Sequence, residues 1–363
     1  MKVSRTLSRY LARVYIVNTL LLLVALLGVV YLFDVVELMR RAGKLNVPLW
    51  FVLQMGLLKL PEVGQMILPF AILFGAMFTF WQLTRRYELI VVRAAGFSFW
   101  QFLTPMLAVA VTAGLLHITI INPIGALLLG KYHKMEQTYL NRQENQIALF
   151  KEGLWLKQGM TEGYVILHAE KIEHPSWGLK NVTALFFTGE DDFIKRVDSN
   201  TTHLEKGEWV FKKPVVTTVS GQIENPEAIR LPTQLTIADI EESFSSAESM
   251  SFWKLPGHIR TLEETGFDAS RMKVYYQNLL SQPLMFVAMV LLAAAVSMRP
   301  PRSGGTLHYL VAGILAGFVI FFMSSFLQAL GVSHQLPVFL AAWSPAIISF
   351  LLGLSVMMNL EDG

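Results

Sequence analysis

Eight histidines, 27 acidic and 30 basic side chains are present, but their spacing supports little catalytic chemistry. The histidines are scattered, and no H-E-x-x-H pair occurs to hold zinc. No G-x-x-x-x-G-K-[ST] loop exists to cradle a nucleotide. Without cysteine, thiol nucleophiles, Cys-based metal sites and disulfides are all excluded. His117 stands inside an apolar run, where an ionisable residue is a functional candidate by default. No carboxylate shares that run, so a neutral imidazole packed against a neighbouring helix is the simpler account. No paired acids lie within an apolar run to relay protons or cleave a peptide. The chain reads as a protein that is not an enzyme by itself and has no cofactor of its own.

The chemistry that remains is that of binding. Arg40, Arg41 and Lys44 follow one apolar run, Lys59 opens the next, and Lys131, Lys134 and Arg142 follow a third. Such cations either snorkel to lipid headgroups or pair with the phosphate of an anionic lipid, which Arg grips bidentately. Further on, FVIFFMSSF offers Phe318, Phe321, Phe322 and Met323 as the wall of an apolar cavity. Aromatic rings and a flexible thioether suit hydrocarbon of variable shape. The preceding AGILAG sets Gly313 and Gly317 in a small-xxx-small pattern. That pattern packs either within the chain or against a partner protomer.

The stretch QLTRRYELIVVRAAGFS, residues 82–98, poses a different question. Read as one continuous helix, it gathers Leu83, Tyr87, Ile90, Val91 and Ala94 on a face that would pack against the membrane core. Arg86 and Arg93 lie opposite, with Arg85 and Glu88 flanking. Leu89 and Val92 fall among these charges, where a plain surface helix gains little from apolar side chains. They predict a second buried side, covered by a partner from the cytosol. Gly96 after the last periodic residue fits a C-cap.

These residues need a frame, and composition supplies it. The chain is 53% hydrophobic and 16% charged with a mean hydropathy of +0.46, whereas soluble domains carry about 25% charged residues. The net charge of +3 is too small for a nucleic-acid binder. Six segments reach the roughly 20 residues a membrane span requires: 14–33, 60–83, 99–121, 279–298, 307–330 and 337–358. Lys2, Arg5, Arg9 and Arg13 before the first imitate a signal peptide. Its apolar part is too long, however, and no small-x-small site follows, so a retained span is expected.

Lys and Arg cluster at the N-terminus, after the second span and after the fourth (Arg299, Arg302). This predicts that both termini are cytoplasmic and that the insertion after the third span faces outward. Within that insertion the period switches to two, as in GYVILHAEKI, NVTALFFTG and GEWVFKKPVVTTVSG. Such runs predict a sandwich or jellyroll of roughly six to ten strands. The expected organisation is three spans in 1–122 with a cytoplasmic helix at about 84–95, a β-jellyroll domain with helical flanks in 123–270, and three spans in 271–363. The fold class is membrane α-helical, 3+3, with an inserted all-β domain. That domain is either a cap or a docking platform whose open sheet edge accepts a strand.

Across essentially its whole length the chain resembles the lipopolysaccharide-export permeases of the LptF/LptG family. The most specific match is LPEVGQMILPFAILFGAMFTFWQLTRRYELIVVRAAGFSFWQF. RAAGFS and QPLMFVAMVLLAAAVSMRPPRSGG resemble the LptG branch more than LptF. The resemblance implies a heterodimer with an LptF-like sister permease, placed in the bacterial inner membrane. It implies an LptB-like ATPase dimer, using ATP and Mg, docked on coupling helices. It also implies an LptC-like jellyroll protein, and lipopolysaccharide as the cargo passed to a periplasmic bridge.

By the same resemblance Glu88 is the coupling-helix glutamate, with Arg85, Arg86, Leu89, Val92, Arg93 and Gly96 completing the docking helix. Arg40 and Arg41, with Lys44 and Lys59, would face lipid phosphates. Spans one and five would form the protomer interface, which favours the partner reading of Gly313 and Gly317. Two residues depart from the family pattern. Tyr87 replaces a small residue before the glutamate, and Asp34 stands where some relatives carry a cation. The residues alone leave open a permease for another lipid or a lipoprotein, and a membrane-anchored envelope scaffold. Six spans exceed what anchoring requires, and a scaffold has no use for a structured cytosolic helix.

Overall fold

Hydrocarbon offers no partner for a backbone amide, so apolar runs of this length must close their hydrogen bonds internally as helices. A computed structural model describes residues 5–43, 47–139, 154–160, 163–173, 178–189, 192–205, 207–233, 247–264, 268–297 and 306–361. The helices are α1 (Arg5–Ala42), α2 (Leu49–Arg85), α3 (Glu88–Ala94), α4 (Phe99–Leu116) and α5 (Asn122–Tyr139). A π-helical turn, His117–Ile121, joins α4 to α5. After the strands come a 3₁₀ turn (Ala247–Ser249), α6 (Leu255–Glu264), α7 (Ser270–Ser297), α8 (Thr306–Val332) and α9 (Val338–Glu361). Among the described residues, six helices are long and apolar enough to cross a membrane: α1, α2, α4 running through α5, α7, α8 and α9. Three precede the strands and three follow.

The expected division at Asn122 falls inside a continuous helix. Hydropathy drops there, but the backbone ladder continues to Tyr139, because a polar sequence is as good a helix former as an apolar one. The helical unit therefore takes in α5 as well as α1–α4 and α7–α9. In it α7 is the most enclosed span, with 61% of its apolar window buried, whereas none of that window of α1 is buried. Tyr15, Phe80, Met106, Phe286, Val290 and Ala294 belong to its main core.

Glycines set how closely its helices approach. A Cβ on Gly75 would lie 2.8 Å from Thr19 Cα, and one on Gly114 would lie 2.5 Å from Pro283 Cα. The first close crossing carries polar stitching: Asn18 Nδ2 donates to Thr79 Oγ1 and to Gln82 Oε1, each at 3.0 Å. In an apolar solvent such contacts and hydrogen bonds replace the hydrophobic drive that packs soluble helices.

The second unit is an antiparallel sheet. Strands β1 (Leu154–Met160), β2 (Gly163–Glu173), β3 (Gly178–Phe187) and β4 (Phe193–Glu205) form a meander. The long β4 then forks, pairing with β5 (Glu208–Lys212) at one end and β6 (Val215–Thr218) at the other. Beyond these lie β8 (Ala228–Pro232) on β5 and β7 (Ile223–Glu224) on β6. Register explains the core: Val165 faces Phe186, Leu167 faces Ala184 and Ala169 faces Val182. All six are buried on one side of the sheet with Val197, Trp209 and Phe211. The inserted all-β domain read from period-two alternation is present.

The crossing at Gly75 predicts a contrast. Gly75→Ala should destabilise the protein by about 1–3 kcal/mol through overpacking. Gly28→Ala, with nothing within 4 Å of its Cβ, should stay within about 0.5 kcal/mol of wild type. Thermal unfolding in detergent micelles compares the two.

Candidate functional site

The α2 helix ends where its ladder ends. The Arg86 amide still reaches Gln82 O and the Tyr87 amide Thr84 O, but Tyr87 adopts φ of +60°. A left-handed backbone costs a residue with a Cβ about 1–2 kcal/mol. The chain restarts as α3 at Glu88 with its helical phase reset, and this corrects the single-helix reading of 82–98. Leu89 is 9% exposed and joins the main core with Leu83 and Phe102, and Val92 packs against the same core. Tyr87, Ile90 and Val91 are 69%, 57% and 66% exposed. The two faces are therefore exchanged: Leu89 and Val92 point into the chain, and Tyr87, Ile90 and Val91 point away from it.

The ends of α3 are well determined. Gly96 takes φ of +82°, which glycine alone adopts freely, and the Phe97 amide closes onto Val92 O at 3.4 Å. This is the expected C-cap. Ser98 then opens α4 through a capping box with Gln101. Glu88 accepts a hydrogen bond from the Tyr10 hydroxyl of α1 at 2.8 Å, with Arg86 Nη1 at 3.9 Å. Arg85 lies over the Trp81 ring, 5.2 Å from its centroid. Arg93 belongs to α3, but its side chain lies outside the described residues.

The basic residues near the opposite end of α2 are not free cations. Arg40 grips Glu37 through Nε at 2.8 Å and Nη2 at 2.6 Å. Arg41 bonds Glu37 at 3.3 Å and Glu136 of α5 at 3.1 Å, and Lys59 holds Asp34 at 3.1 Å. The three cations thus face three carboxylates and tie α1 to α2 and α5. Asp34 is what engages Lys59. Lys44 and Arg142 lie outside the described residues.

On α8 the residues grouped as one wall divide. A Cβ on Gly317 would sit 2.9 Å from Leu73 of α2, and one on Gly313 would collide with Met77. Both glycines therefore pack inside the chain, which corrects their assignment to a protomer interface. The face that turns outward carries Phe318, Phe321 and Phe322, at 49%, 39% and 65% exposed. Phe321 also lines a partly open cavity, and Met323, a further step around the helix, is half-buried.

That cavity, of about 220 Å³, lies among α2, the π-helical turn, α7 and α8. Gln65 and Tyr275, which line it, belong to a polar knot that sequence reading missed. Asn122, fully buried, donates to Gln65 Oε1 at 3.1 Å and to Tyr275 Oη at 2.8 Å, and accepts from the Phe252 amide at 2.8 Å. Polar Gln65 and Asn122 at apolar runs were the available signal. The cavity borders the middle of α2 and α3 follows its C-terminal end, the 20 residues from Gln65 to Arg85 spanning about 30 Å.

Six apolar helices, a short capped helix with an exposed apolar face and an inserted antiparallel sheet define a polytopic membrane protein. The family model described as lipopolysaccharide export system permease LptF/LptG matches residues 9–359, and the chain belongs to that family. It is 24% identical over 367 residues to the lipopolysaccharide export system permease protein LptG of Escherichia coli K12, covering 97% of this chain and 98% of the relative. To the LptG of Haemophilus influenzae it is 23% identical, covering 94% and 95%. To the LptF of Escherichia coli K12 it is 23% identical, covering 98% and 94%. Both branches therefore match at nearly full length.

The left-handed Tyr87 generates a direct test. Tyr87→Gly should raise stability by about 1 kcal/mol, because glycine takes this conformation without the steric cost. Thermal unfolding of the full chain in detergent measures it.

Proposed function

We propose that this chain is the permease subunit of an ATP-driven exporter that extracts lipopolysaccharide from the inner membrane and passes it to a periplasmic bridge. It would work beside an LptF-like sister permease, itself in the LptG position that RAAGFS and QPLMFVAMVLLAAAVSMRPPRSGG favour. Family membership supports the cargo. One structural observation supports the assembly: the chain leaves its own α1 and α8 uncovered. No residue in the apolar window of α1 and only 17% of that of α8 is buried. An apolar cavity between two protomers needs walls of this kind, and Phe318 and Phe322 face that way.

Force would enter at α3. An LptB-like ATPase dimer, which binds ATP and Mg itself, would seat on Tyr87, Ile90 and Val91 beside Arg86. Burying these side chains contributes roughly 25 cal/mol for each Å² of apolar area removed from water. Glu88, hydrogen-bonded to Tyr10, would pass displacement of α3 to α1. An open edge of the β-domain would pair with an LptC-like jellyroll. In this reading both termini and α3 are cytoplasmic, and the β-domain is periplasmic.

The neutralised rim favours a second reading. Arg40, Arg41 and Lys59 already hold carboxylates, which leaves little charge for phosphate, and a permease for a less anionic lipid or a lipoprotein would need no more. A photoreactive residue at Phe318 or Phe322, followed by identification of the lipid adduct, separates these cargoes.

Val91→Asp and Ile90→Asp should abolish copurification of the ATPase with the permease pair, because a charge in a desolvated contact goes unpaired. Glu88→Ala should leave ATP hydrolysis running without lipopolysaccharide release, or weaken docking of the ATPase. Normal export by Glu88→Ala in a reconstituted complex would remove the role given to that residue.

A further inference from the structure

The cations at the two ends of α1 differ. At its C-terminal end Arg40 and Arg41 hold Glu37 and Glu136. At its N-terminal end Arg5, Arg9 and Arg13 are exposed, and among the described residues none of them makes a hydrogen bond or ion pair. The first turn of α1 carries no acidic residue. Three arginines without a counter-charge therefore stand where the chain enters the membrane, Arg13 directly before the apolar run.

Their spacing places them on one side of the helix. Each step of four residues advances about 40°, so the three arginines span an arc of about 80°. Ile16 and Leu20 fall within that arc, Val17 and Val24 lie just beside it, and all four are exposed. Leu11 and Tyr15, on the other side, are buried in the main core. The exposed side of α1 is thus one continuous strip, cationic up to Arg13 and apolar beyond it. From Arg13 to Val24 the helix rises about 16 Å, half the ~30 Å thickness of the hydrocarbon. The strip has the depth of a single leaflet.

The two halves of the strip together select its partner. A soluble protein with an acidic surface could reach the arginines, but it could not follow the strip into hydrocarbon. A second copy of the chain lying parallel would set arginine against arginine, and like charge opposes that contact. A zwitterionic lipid brings an ammonium along with its phosphate. An anionic glycerophospholipid matches both halves, because Arg pairs bidentately with phosphate and acyl chains cover the apolar residues. Topology signalling also asks for basic residues at such an end, but it is indifferent to the side of the helix they occupy.

We propose that the strip from Arg5 to Val24 is a binding site for an anionic glycerophospholipid of the leaflet in which α1 begins. Arg9 and Arg13 hold its phosphate, and its acyl chains lie along Ile16, Leu20 and Val24. The site is at the end of α1 away from Arg40 and Arg41. It does not rest on the transport reading, because lipid binding is measured without export or an ATPase.

The test uses the absence of native cysteine to place one bimane fluorophore at a time. Val17→Cys puts it beside the strip. Leu352→Cys puts it at an exposed position late in α9, the sixth span, which returns to the same leaflet. Each full chain is reconstituted in phosphatidylcholine vesicles, and dibrominated phosphatidylglycerol or dibrominated phosphatidylcholine is titrated in as the quencher. At residue 17 phosphatidylglycerol should quench with about fivefold higher apparent affinity than phosphatidylcholine, as two exposed ion pairs would give. The preference should shrink at high salt and be absent at residue 352. Arg9→Gln combined with Arg13→Gln should bring the two lipids level at residue 17 with thermal stability retained. Equal quenching by the two lipids at residue 17 of the otherwise native chain overturns the proposal and leaves the arginines to a soluble partner. A preference as large at residue 352 overturns it too, since the whole surface then attracts the lipid. So does an unchanged preference in the folded double variant.

Discussion

The crossing of α1 over α2 is the contact on which the other arguments rest. Gly75 lets the two backbones touch at Thr19. Asn18 bridges to Thr79 and Gln82 one turn away, and Tyr10 reaches on to Glu88 of α3. At the far end Arg41 and Lys59 tie α1 to α5 and α2. A helix fastened along one side in this way cannot slide independently of α2 and α3. Its opposite side, carrying Leu20, Leu21, Val24 and Leu32, stays uncovered. Fastening on one side and exposure on the other is what a helix needs to convert movement of α3 into movement of a cavity wall. In the proposed mechanism the permease does no chemistry. It transmits.

Much of this architecture was legible in the residues. Span count followed from run length, because hydrocarbon thickness sets a minimum number of apolar residues. The inserted sheet followed from alternation, because period two is what a half-buried strand requires. Gly96 was recognisable because a helix closing on a left-handed residue prefers glycine. The continuation of the third helix was legible as well, since GKYHKMEQTYLNRQENQIALF reads as a polar helical extension and the helix runs on to at least Tyr139.

The faces of α3 were misread. A helical wheel assumes one unbroken phase, and Tyr87 breaks it with a backbone conformation that no residue-type preference announces. Tertiary packing of Leu89 against Leu83 and Phe102 overrides that local cost. Gly313 and Gly317 show a similar limit: a small-xxx-small pattern states that another helix comes close, but not whose helix it is. The charged rim shows a third. Arg40, Arg41 and Lys59 are visible as cations in the sequence, whereas their neutralisation by Glu37, Glu136 and Asp34 depends on three helices meeting.

The central claim is that α3 is docked on the chain through Leu89 and Val92 and offers Tyr87, Ile90 and Val91 to a partner. Because the native sequence has no cysteine, single-cysteine variants at these five positions can be read without background. The measurement is maleimide labelling in membranes, with and without the ATPase. The account predicts rapid labelling at 87, 90 and 91 that the ATPase suppresses, and slow labelling at 89 and 92 under both conditions. Rapid labelling at 89 and 92 with protection by the ATPase there, and none at 90 and 91, would contradict it.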